Sequence, residues 1–242
     1  MPYIKETCVA GKTLEVRKYY SPEYKGKGGI RMPRAKPTED AVKKANRRKA
    51  ERDLRRLMNH NFNLKSWFIT LTFKTSPSIE ELQSALVKFT RRLRILASRI
   101  ETELKYIYVL GLGVRARHVH MIVSGLPPEQ IADAWKSGHV NFQKIYTENL
   151  SKLAEYFIKN AENSQKILKE NGLKPGRKWN GSRNLKKPEA RRKIISASQY
   201  RKDPPEKKGY YIDKESIYEG ISGFTGLPFL EYTYIRQEAR CG

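Results

Sequence analysis

LKYIYVLGLGVRARHVHMIVS, residues 104–124, consists of two β-rich runs separated by a short glycine-containing break. The runs Leu104–Leu112 and Arg117–Ser124 are dense in β-branched and aromatic residues, and the loop Gly113–Ala116 between them is short enough to close a hairpin. Gly111-Leu112-Gly113 opens like a dinucleotide-binding fingerprint, but Ala116 stands where the third glycine belongs, and a strand follows rather than a helix. Two adjacent antiparallel strands therefore anchor the reading of everything around them.

Upstream, Ser78 can cap a helix in which Leu82, Leu86, Phe89, Leu93, Leu96 and Ile100 recur at spacings of four and three, the stripe of a core-facing helix. Before it, SWFITLTF (66–73) reads as a strand. Downstream, PPEQIADAWK (127–136) reads as a short helix with proline near its start, and GHVNFQKIY (138–146) as a strand. Asn149 can then cap a helix through Leu153, Tyr156, Phe157 and Asn160. The order βαββαβ predicts a ferredoxin-like α+β fold, an antiparallel sheet with helices on one face, to which a tyrosine-bearing helix is appended.

The flanks differ in kind. Residues 1–36, with the run YKGKGG at 24–29, show no sustained period and are expected to be an arm with at most short strands. From Thr38 to about Met58 the chain favours a basic helix. Beyond Ala161 come Gly- and Lys-rich loops, then strand candidates near 190–196, 209–218 and 229–236. The expected division is a basic N-terminal arm and helix over 1–60, a core over 61–170, and a β-rich C-terminal extension packed on that core over 171–242.

Lysine and arginine total 49 against 25 acidic residues, a formal charge of +24 and a pI near 10.0, so a polyanion is the expected partner. Charge names a ligand class and no activity, because phosphate neutralisation requires only cations. Two cysteines, Cys8 and Cys241, exclude a four-cysteine zinc site and give no disulfide framework. No apolar run approaches the roughly 20 residues that cross a bilayer, and a cytoplasmic location is expected. Gly11-Lys12-Thr13 resembles the end of a phosphate-binding loop, but Glu6 stands where its first glycine belongs, so no NTPase is implied.

His118 and His120 alternate with Val119, which puts both imidazoles on one face of a strand, where they can bind a divalent cation or decorate an exposed surface. Tyr156 is followed by Lys159 about one turn later, a spacing that lets the two address one site and that also suits an ordinary half-buried helix. Neither pair decides alone.

Together they carry a resemblance. WFITLTF (67–73), His118-Val119-His120, the run Tyr156–Lys159 and WNGSRNLKKP (179–188) are similar to motifs of the HUH endonuclease superfamily, specifically the rolling-circle replication initiators of bacterial plasmids, phages and integrative elements. The resemblance spans roughly residues 55–240. It implies that His118 and His120 hold Mg²⁺ or Mn²⁺, that Tyr156 is the nucleophile, and that Lys159 assists it. It further implies single-strand cleavage through a covalent 5′-phosphotyrosine, rejoining without ATP, and reliance on a host helicase and polymerase. Single-stranded DNA and origin duplex are the expected partners. Candidate phosphate contacts are Arg47, Arg48 and Arg52 on the basic helix and Arg183, Lys186 and Lys187 in the later motif. Single-tyrosine transposases and relaxases share the chemistry, and a basic DNA-binding regulator that never cuts is the competing class.

One position departs from the pattern. Many relatives carry an acidic ligand on the strand beside the histidine pair, where this chain has Gly111, opposite His118 if the hairpin turns at 113–116. The expectation is an open slot that Gly111→Glu would fill with tighter metal binding; Asn160 is the candidate third ligand, and Glu155 is expected to face away from Tyr156. His60 and His139 lack partners at ligand spacing and are left out of the site.

Overall fold

The structure, a computed structural model, describes residues 2–21, 38–113, 116–196 and 203–237. The YKGKGG run and Cys241 fall outside these residues. In chain order the elements are β1 (Tyr3–Ala10), β2 (Thr13–Tyr20), α1 (Glu39–Asn61), β3 (Trp67–Thr72), α2 (Ile79–Arg99), β4 (Lys105–Leu112) and β5 (Arg117–Ser124). They continue with α3 (Pro128–Ala134), β6 (Val140–Lys144), α4 (Ser151–Glu170), β7 (Asn180–Gly181), β8 (Ala190–Ile195), β9 (Tyr210–Ile221) and β10 (Pro228–Arg236). The chain is α+β and forms two compact units: Asn61–Lys186, and the segments Met1–His60 and Lys187–Gly242 together. No helix among the described residues is long and apolar enough to cross a membrane.

In the Asn61–Lys186 unit the sheet order is β6-β3-β5-β4-β7, all antiparallel. Its first four strands have the order of a ferredoxin-like sheet. Period-two alternation sorts the side chains. Ile69, Leu71, Val119, Met121 and Val123 face a core closed by Leu82, Leu86, Phe89 and Leu93 of α2 and by Ile131, Ala134 and Trp135 at α3. Ser78 starts α2 with a full capping box: its hydroxyl accepts from the Glu81 N–H, and its own N–H donates to the Glu81 carboxylate. The opposite face carries Phe68, Thr70, His118 and His120, and α4 lies over it, with the Phe157 ring 6.1 Å from Phe68. Leu150, not Asn149, precedes α4 as its cap, without a side-chain bond; the Asn149 N–H instead donates to the Thr147 hydroxyl.

WNGSRNLKKP, which has no evident role in the sequence, closes the edge of this sheet. Asn180 and Gly181 pair with Tyr108 and Ile107 of β4, and the Ser182 N–H donates to the Tyr106 carbonyl at 2.9 Å. The Asn184 amide donates to the Leu104 carbonyl at 3.0 Å. The unit's two ends meet: the Asn61 side chain donates to the Lys186 carbonyl at 2.7 Å and accepts from the Lys186 N–H at 2.9 Å.

Residues 1–36 correct the expectation of an arm, because β1 and β2 are eight-residue strands in full register from Tyr3↔Tyr20 to Ala10↔Thr13. Gly11 has φ +59 at the first position of their two-residue turn, the place where a II′ hairpin requires glycine. The Gly-Lys-Thr triplet is thus a turn. Strands of 190–195 and 210–236, expected as a C-terminal extension, complete a second sheet, β8-β1-β2-β10-β9, within the unit that holds β1, β2 and α1.

Buried ion pairs tie this sheet to α1. On the face under α1, buried Glu15 accepts from Arg55 and Arg56 at 2.7 Å each, and buried Glu6 accepts from Arg56 at 2.9 Å and from Arg192 of β8 at 2.6 Å. Burial works to raise the Glu6 carboxyl, but Arg192 and Arg56 outweigh it and hold it at about 2. Burial is likewise overcome at Glu15, which Arg55 and Arg56 keep below the usual carboxylate range.

Candidate active site

Strand β5 presents His118 and His120 to α4, and the alternation that does so sends Val119 into the core on the far side. The His118 and His120 Nε2 atoms lie 3.0 Å apart, and the Tyr156 hydroxyl is 2.7 Å from His120 Nε2. Phe68 fixes the arrangement from β3, with its ring stacked at 5.8 Å on His120 and edge-on to Tyr156 at 6.2 Å.

Helix α4 is pinned at its other end. The Ser164 hydroxyl donates to the Leu110 carbonyl at 2.7 Å and accepts from the Leu112 N–H at 3.1 Å, which holds the helix against β4. Buried Ala154, Phe157, Ile158 and Ala161 form its inward stripe. Tyr156 sits at the margin of that stripe, its hydroxyl bonded to His120 while the residue as a whole is 40% exposed. Lys159 and Glu155 are exposed. The Asn160 side-chain nitrogen donates to the Tyr156 carbonyl at 2.8 Å, which leaves its oxygen as the atom able to ligate.

The hydrogen bonds around the imidazoles test whether the site suits a cation. His118 Nδ1 faces the Ala116 carbonyl at 3.3 Å, a group that only accepts, so the tautomer with its proton on Nδ1 would leave Nε2 as the ligating atom. His120 Nδ1 is bonded to the Thr70 hydroxyl at 3.1 Å, which orients that ring. Burial, then the neighbouring His118, pushes the His120 pKa down to about 4, so His120 is neutral at physiological pH, as a ligand must be. Two facing Nε2 atoms can share one proton in an N–H···N bond, and a divalent cation in its place would take both lone pairs. Ligands about 2.1 Å from an octahedral ion are separated by about 3.0 Å along one edge, the spacing of this pair. The residues therefore fit a divalent cation. No cluster of three or more His, Cys, Asp or Glu able to hold a metal occurs among the described residues, so further ligands of that kind do not come from a carboxylate near the pair.

Gly111 stands opposite His118 in the β4–β5 register, where the sequence placed it. The slot is not open. A Cβ on Gly111 would lie 2.2 Å from His118 Nε2 and 2.6 Å from its Cδ2, because the imidazole itself fills the space above the glycine. A side chain at Gly111 therefore requires the His118 ring to shift, so the acidic ligand expected of Gly111→Glu comes only with movement of the first histidine.

The basic residues divide. Arg183, Lys186 and Lys187 are exposed. Arg48 stacks on Tyr218 with its guanidinium 4.3 Å from the ring centre, and Arg47 is paired with Glu51 at 2.8 Å. Arg52 is turned inward, its side chain 14% exposed and 4.0 Å from Glu231, which makes it less available to a phosphate than Arg47 or Arg48. Arg55 and Arg56, part of the same basic run, are consumed by Glu15 and Glu6.

In this unit a ferredoxin-like sheet thus presents His118 and His120 to Tyr156 on an overlying helix. Residues 66–165 match the family model described as replication-associated protein ORF2/G2P, a stretch that contains both histidines and Tyr156. No curated protein and no solved structure matches the chain.

Proposed function

We propose that the chain is a single-strand DNA endonuclease and strand transferase of the HUH superfamily that initiates rolling-circle replication, with Tyr156 as nucleophile. The observation that carries this reading is the 2.7 Å approach of the Tyr156 hydroxyl to His120 Nε2, itself 3.0 Å from His118 Nε2. The replication-associated family match over the same residues supports it.

In this reading the Tyr156 oxygen attacks a backbone phosphorus, the bond from phosphorus to the 3′ oxygen breaks, and the 5′ phosphate remains on the phenol. The phenol's proton passes to water and the leaving 3′ oxygen takes one up, so the step is neutral overall. Mg²⁺ or Mn²⁺ held by His118 and His120, with Asn160 as candidate third protein ligand, would supply Lewis-acid stabilisation of charge on the phosphate oxygens. A phenol is a weak nucleophile at neutral pH, and Lys159, about one turn beyond Tyr156, is the residue assigned to assist it. The phosphotyrosine conserves the energy of the broken bond, so rejoining runs in reverse without ATP. Unwinding and synthesis then fall to a host helicase and polymerase, and Arg183, Lys186, Lys187, Arg47 and Arg48 serve as phosphate contacts.

The test is a nicking reaction on single-stranded DNA with Mn²⁺, resolved on a denaturing protein gel. The enzyme gives a retarded protein band that disappears in Tyr156→Phe. A chain that binds DNA but never gives that band is the non-cutting regulator instead.

A further inference from the structure

Within the Asn61–Lys186 unit a cleft of about 290 Å³ opens between the start of α2, the outer part of β4, the C-terminal half of α4 and the segment that follows it. We propose that this cleft binds one nucleobase of the strand that passes Tyr156, an inference that rests on reading the unit as a single-strand DNA enzyme.

Its position comes first. Val109, which lines the cleft, is the register partner of His120 across the β4–β5 pair. Ala161, also in the lining, follows Tyr156 by five residues, about 7.5 Å along the helix axis. That is a reach of about two nucleotides at duplex spacing. The Ser164 bonds to Leu110 and Leu112 hold α4 at a fixed distance from β4, so the wall of the cleft is rigid.

Its chemistry comes second. Val109, Leu168 and Leu173 provide apolar surface for a flat ring. Gln83 and Gln165 place amides against it; the Gln165 nitrogen donates to the Gly176 carbonyl at 2.9 Å, which leaves its oxygen for the edge of a base. Exposed Lys174 and Arg177 stand at the mouth for the phosphate. The one acid in the lining, Glu80, accepts from the Ser78 hydroxyl at 2.9 Å and belongs to the cap of α2. Apolar walls, amides and outlying cations match a nucleotide part by part. The volume lies at the small end of ligand pockets, about 300–1,000 Å³, which limits the occupant to a single base and its sugar.

The experiment uses the full chain with Tyr156→Phe, so that binding is read without covalent capture. Fluorescence anisotropy compares a mixed-sequence DNA strand about six nucleotides long with an abasic strand of equal length and charge. The base-bearing strand is expected to bind about tenfold more tightly, the scale of one packed base. Leu173→Ala, at a 40% exposed position, and Gln83→Ala, on the exposed side of α2, should each cut that preference to about twofold or less while leaving affinity for the abasic strand unchanged. No preference in the parent, or a preference retained in either variant, overturns the proposal. A chain with Tyr156 intact that fails to nick, while its base preference still depends on Leu173 and Gln83, sinks the nuclease reading and leaves the cleft standing.

Discussion

Each unit of this protein has a five-stranded antiparallel sheet with a helix over polar side chains, and the two faces resolve that burial in opposite ways. Under α1, Glu6 and Glu15 are ionised and matched by Arg55, Arg56 and Arg192, so attraction defeats desolvation and the Glu6 carboxyl is held at about 2. Under α4, His118, His120, Thr70 and Tyr156 converge with no opposing charge among them, desolvation goes unopposed, and His120 is held neutral with a pKa of about 4. A buried polar cluster that closes on itself is a structural device. One that leaves lone pairs aimed at a common point is poised for something from outside.

The sharpest way to break this contrast is Tyr156→Phe. Loss of the nucleophile should lower nicking by about 10⁴-fold or more, while thermal unfolding shifts only slightly, because the residue as a whole is 40% exposed. A large stability loss with nicking intact would make this face structural like the other one. The mirror experiment is Glu15→Ala, which strands Arg55, leaves Arg56 with Glu6 alone and should cost about 3–5 kcal/mol in denaturant unfolding. A cost near zero would show that the ion pairs are ornamental.

Acid separates the charged face from simple packing. Glu6 has a folded pKa below its ordinary value, so its stabilising contribution is complete above pH 4.5 and is lost as pH falls from 4.5 towards 2. Melting temperatures should therefore drop across that window, and Glu6→Gln should start lower and flatten the drop. The smallest effect concerns the imidazoles: Gly111→Ala, whose Cβ would meet His118 Nε2 at 2.2 Å, should weaken Mn²⁺ binding by about tenfold in calorimetry. Tighter binding would restore the idea of an open slot.

Much of the ferredoxin-like unit was legible because its information is local. Ser78 and Glu81 are three residues apart, His118 and His120 two, and the hairpin that sets Gly111 against His118 spans one short loop. The second sheet was not, because its logic is written across the chain. Lys5, Glu6, Glu15, Arg17 and Lys18 make β1 and β2 look like polar arm, and the partners that bury the two acids arrive 40 to 186 residues away. The basic helix misled for the same reason: Arg52 reads as a phosphate contact until its distant partner Glu231 appears beside it. At the site, the histidines and tyrosine were readable as residue types, but the filled space above Gly111 depends on a ring position that no spacing encodes.

The clasp between Asn61 and Lys186 has a consequence for how such a protein could arise. A segment whose entrance and exit are buttoned together is topologically a bulb on a stem: the chain enters and leaves it at one place, and the entropy of closing it grows slowly with the size of the bulb. A module built this way can be transplanted between hosts, or joined end to end with new openings elsewhere, without unthreading the strands that carry it.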